Sequence, residues 1–120
     1  MELNKSLNFL RSEMDKEVSS DDTIGMVDKL EKLVSLVGLS AECVAAAEKE
    51  LKKKNLIVLI ENKGANYSPS VLLKLMDGMS ADQMAVYRYA ERLNAGLSHA
   101  MDGLRTIISL HKEEMSQSTR

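Results

Sequence analysis

An all-α fold is predicted: an elongated antiparallel helical bundle with one long C-terminal helix. Three observations predict it. From Ser80 to Met115 there is no proline, and apolar residues return every three or four positions, the period of a helix with one buried face. Aromatic residues are scarce, one Phe, three Tyr and no Trp against eight Met, which suits helix-on-helix packing better than a sandwich or barrel. The 120 residues, 44% hydrophobic and 28% charged, make one domain, 1–120, able to bury a core without disulfides or metal.

Residues 2–18 set Leu3, Leu7, Leu10 and Met14 at helical spacing. The Ser19-Ser20-Asp21-Asp22 cluster stops that helix and offers capping oxygens to the next, 21–37, which carries Ile24, Val27, Leu30, Leu33, Val34 and Val37. Gly38 and Ser40 then interrupt the pattern, glycine being favoured past a helix end and serine before a start. Either two helices meet there or one bends. A helix over 40–62 resumes through Val44, Ala47 and Leu51 and ends in Leu56-Ile57-Val58-Leu59-Ile60. That apolar run has the composition of a strand, but nothing else in the chain reads as its pairing partner, so a helix end buried on most sides is expected. A strand pairing with its copy in a dimer is the alternative.

Lys63 to Tyr67 reads as a loop, and Ser68-Pro69 as the start of a short helix, 69–77, closed by Asp77-Gly78. Ser80 with Gln83 makes a capping box for the last helix, 80–115, and 116–120 should fray.

With Ala90 at heptad position a, the a row of the last helix is Ala90, Leu97, Leu104 and His111, and the d row is Val86, Leu93, Ala100 and Ile107. The e row is Tyr87, Asn94, Met101, Ile108 and Met115, and the g row is Tyr89, Gly96, Gly103 and Leu110. Together they span an arc of about 160°, more than a two-stranded seam needs. The helix should be roughly 54 Å long, against about 35 Å across for a compact chain of this size. A second copy is therefore expected beside it, as a homodimer or higher oligomer. The expected interface is Ala90, Leu93, Asn94, Gly96, Leu97, Ala100, Met101, Gly103, Leu104, Ile107 and Ile108. Asn94 could set register there, and the small residues Gly96, Ala100 and Gly103 would admit a close helix from the same chain or from a copy.

No chemistry-bearing motif stands out. His99 and His111 lie twelve residues apart on different rows, and there is no HExxH, ExxH, GxxxxGK or GxGxxG. Cys43, the single cysteine, reads as a buried inert thiol. Neither catalysis nor a metal or other cofactor is expected. Leu75, Met76, Met79 and Met84, around the Gly78 turn, are either core or a surface for a protein partner, since methionine adapts to both. The 71–93 segment has a helix-turn-helix look, which would aim Gln83, Arg88 and Arg92 at nucleic acid, and Lys49, Lys52, Lys53 and Lys54 form the one basic cluster.

The net charge of −2 argues against a general polyanion binder. No apolar run reaches membrane-spanning length, and the start Met-Glu-Leu-Asn-Lys lacks a secretory layout, so a cytoplasmic protein without a membrane partner is expected. The expected function is a homo-oligomeric protein-protein interaction module: an adaptor, inhibitor or small structural component. The alternative is a dimeric nucleic-acid-binding regulator.

Overall fold

A 38-residue helix, α5 (Ala81–Ser118), forms the spine of the molecule. Before it come α1 (Leu3–Met14), α2 (Thr23–Ser35), α3 (Val37–Glu61) and α4 (Pro69–Met79). The computed structural model describes residues 2–118, which contain no strand. The molecule is a rod of 78 × 28 × 18 Å with a radius of gyration of 21.0 Å, where a compact chain of this length would have about 13.6 Å.

α2 and α3 together run antiparallel to α5 along nearly its whole length. Three hydrogen bonds mark the register: Thr23 Oγ1 with His111 Nδ1 at 2.8 Å, Ser40 Oγ to Asn94 Oδ1 at 2.9 Å, and Ser80 Oγ to Asn55 Oδ1 at 2.6 Å. Seventeen residues separate Thr23 from Ser40, and seventeen separate Asn94 from His111, so the two arms advance in step.

α1 lies in the groove between these arms. Met14 reaches Gly96 on α5, while Lys29 Nζ of α2 donates to the backbone oxygen of Lys16 at 2.6 Å, just beyond the end of α1. The core is Leu7 and Leu10 of α1 with Leu33, Leu36, Cys43, Ala47, Ala90, Leu93 and Leu97. At twelve residues, about 18 Å, α1 covers only the middle of the rod.

The breaks fall where tertiary contacts set them. α1 stops at Met14, short of 18, because the chain must turn back to the Asp22 cap, whose carboxylate accepts the Gly25 N–H at 2.9 Å. The α2–α3 break is at Leu36, ahead of Gly38 and Ser40. The Leu36 N–H bonds three residues back to Leu33, a tightened turn that directs its side chain into the core, and Ser40 lies inside α3 facing α5. Gly78 does not end α4, which runs to Met79 before the single hinge residue Ser80. The Ser80–Gln83 capping box does not form: the Ser80 hydroxyl turns to Asn55, and Gln83 Oε1 is buried without a partner. Ser68 does cap α4, accepting from the Val71 N–H at 3.3 Å, with Pro69 at the first helical position. α5 stays helical through Ser118 instead of fraying at 116, and 119–120 lie outside the described residues.

Candidate functional site

At the α4 end of the rod, beyond the reach of α1, the apolar run 56–60 completes α3 as helix. Five consecutive apolar residues sweep the whole circumference of a helix, and one neighbouring helix can cover only part of it. Val58 alone is buried, whereas Leu56, Ile57, Leu59 and Ile60 are exposed. The expected burial on most sides therefore does not occur. The loop and α4 add Tyr67, Val71, Leu73 and Met79, so eight large apolar side chains, 37–63% exposed, collect on one tip.

Beside this patch, a groove of about 390 Å³ opens between the ends of α3 and α4 and the first turns of α5. Leu51, Ala81, Met84 and Ala85 form its apolar walls, and Asn55, Asp77, Ser80 and Arg88 its polar ones. The Ser80–Asn55 hydrogen bond holds one side rigid. Arg88 and Asp77 are in no ion pair among the described residues. Residues 52–79 carry Lys52, Lys53, Lys54, Lys63 and Lys74 against Glu61 and Asp77, a net +3 on a chain of net −2.

The residues read from sequence as a partner surface gather here: Met84 lines the groove, Met79 is exposed, and Leu75 and Met76 are half-buried in α4. Lys49, Lys52 and Lys53 are exposed and Lys54 half-buried, with Lys52 on Glu48 at 2.9 Å. Arg88 and Arg92 face solvent, and Gln83 turns its amide oxygen inward.

The expected oligomer face lies largely inside the molecule. Ala90, Leu93, Leu97 and Ile108 are buried by the chain's own helices, and Ala100, Met101 and Leu104 are half-buried. Asn94 accepts from Ser40 of the same chain, and Gly96 lies 3.2 Å, measured from an added Cβ, from the Met14 methyl. Of those residues Asn94, Gly103 and Ile107 are exposed, the last two past the end of α1.

Cys43 is buried, and removal from water pushes its thiol above the ordinary range, the nearby Ser6 hydroxyl offsetting this in part. His99 is exposed, and His111 is bonded to Thr23. Among the described residues no three His, Cys, Asp or Glu side chains converge as a metal site, and no helix is long and apolar enough to cross a membrane. The exposure of Leu56, Ile57, Leu59 and Ile60 escaped the sequence reading, though an apolar run too wide for one partner signalled it; the exposure of Ile24 carried no such signal. No family model, curated protein or solved structure matches this chain.

Proposed function

We propose that this chain is a non-enzymatic, cytoplasmic protein-protein interaction module that acts as a homo-oligomeric adaptor, inhibitor or structural component, with the α3–α4 tip as its binding surface. One observation carries the reading: eight large apolar side chains are exposed at the same end of the rod. Exposed apolar side chains concentrated in this way mark interaction sites on soluble proteins. The neighbouring groove, with Arg88 and Asp77 in no ion pair among the described residues, supplies polar groups that orient a partner.

The lysines around the tip favour a second reading, contact with nucleic acid. A photo-crosslinking amino acid placed at Leu73 in living cells separates the two. Adducts to protein are expected. Nucleic-acid adducts, together with retention of duplex DNA that collapses between low and moderate salt, would replace this reading with the second.

A further inference from the structure

The two ends of the rod are chemically opposite and both are apolar. Among the described residues, twelve of the fourteen exposed large apolar side chains lie at the ends, and only Val34 and Val37 lie between. Eight belong to the basic tip. The other four, Ile24, Ile107, Leu110 and Met115, belong to the far end, where α2 begins and α5 finishes. That end is acidic: residues 15–31 and 105–118 carry eight carboxylates against Lys16, Lys29, Arg105 and Lys112, a net −4. A cleft there is lined by Asp21, Thr23, His111, Glu114 and Met115, two carboxylates beside the bonded Thr23–His111 pair and one apolar side chain. From Ser80 to His111 along α5, the two ends stand roughly 47 Å apart.

We infer that the occupant of the tip is the acidic end of a second copy of this chain, so that the rods join head to tail. The inference rests on the protein-binding reading of the tip. Charge complementarity selects this pairing. Two basic tips repel, as do two acidic ends, whereas tip against end brings the lysines to Asp21 and Glu114 and exposed α3 side chains such as Leu56 and Ile60 to Ile24 and Met115. Side-by-side pairing along α5 would leave most of the exposed apolar surface uncovered. A tip-to-end contact uses two different surfaces and so leaves a free tip and a free end after each addition, which extends the assembly instead of closing it.

The test is sedimentation velocity of the full chain from micromolar to submillimolar concentration, with Ile60→Glu as the tip-blocked variant and Ile24→Lys as the end-blocked one. Both positions are exposed, and circular dichroism checks that helicity is kept. The wild type should form a concentration-dependent series, each variant alone should stay monomeric, and their equimolar mixture should stop at a dimer. Assembly of Ile24→Lys alone would mean that tips meet tips and would overturn the inference. A wild type that stays monomeric, or a mixture that does not dimerise, would overturn it as well. If tip crosslinks then run only to other proteins, the protein-binding reading survives; if the monomer instead co-sediments with anionic vesicles through its tip, both fall.

Discussion

Ser40 on α3 donates its hydroxyl to Oδ1 of Asn94 on α5 from a position only 1% exposed, while Asn94 itself lies at the rim, open to water. The pair sits between the Thr23–His111 and Asn55–Ser80 bonds and fixes the stagger of the two arms at mid-rod. The two partners are unequal: Asn94 can exchange its protein donor for water, and Ser40 cannot.

That inequality predicts an asymmetric double-mutant cycle. Ser40→Ala should cost about 1 kcal/mol, the net worth of one hydrogen bond. Asn94→Ala should cost more, about 1–3 kcal/mol, because it strands a buried hydroxyl. The double variant should cost less than the sum of the two, by about 0.5–1.5 kcal/mol. Urea unfolding of the four proteins measures this, and strict additivity would mean that the bond contributes nothing to register.

Glycine-to-alanine substitutions should divide by location. Nothing lies within 4 Å of a Cβ added at Gly103, so Gly103→Ala should stabilise the chain by about 0.8–1 kcal/mol through helix propensity. A Cβ on Gly25 would instead meet the Asp22 carboxylate, with Cγ at 2.8 Å, and Val18 Cγ1 at 3.1 Å. The Asp22 cap would have to swing away, so Gly25→Ala should show a net loss of about 0.5–1 kcal/mol. Thermal melts compare the two. Gly103→Ala should also leave assembly unchanged if the rods join at their ends, and should disrupt it if they pack along α5.

The Cys43 thiol should resist alkylation in the native protein at neutral pH and react only at the rate of unfolding, since it is buried in the core and held protonated. Its folded pKa lies above the unfolded one, so this thiol stabilises the fold below the ordinary thiol range. The contribution is lost as pH rises through the raised folded value. The melting temperature of the wild type should therefore fall toward that of Cys43→Ala at strongly alkaline pH. A gap that widens there would contradict the assignment.

The heptad rows of α5 are legible in sequence because helical periodicity reports directly that a face is covered. It does not report by what. Leu93 and Leu97 would show the same spacing whether α1 or a second chain lay over them, and the coverer here is α1, with Met14 closing over Gly96. Local capping rules hold at Ser68–Pro69, where the hydroxyl has only the neighbouring Ser70 besides the Val71 N–H, and fail at Ser80, where Asn55 from another helix takes the hydroxyl. The exposure of Leu56, Ile57, Leu59 and Ile60 is hidden from a pattern reading for a related reason: apolarity on every side of a helix says that some partner is needed, and the chain has too few helices at that end to cover more than Val58.

Gln83 makes a last, sharper test of that tip. It occupies the a row one heptad before Ala90, and its Oε1 is buried without a hydrogen-bond partner in the described residues. An unmet buried acceptor costs about 1–3 kcal/mol, and methionine has nearly the same length without the polar atoms. Gln83→Met should therefore raise stability by about 1 kcal/mol or more. It should also leave tip-dependent binding of protein intact, because the side chain turns inward and does not line the groove. Under the nucleic-acid reading Gln83 is a base-reading residue, and the same substitution would weaken sequence-selective DNA binding. Calorimetry with a DNA-retention assay on one variant thus reads the packing of the hinge and the choice between the two functions at once.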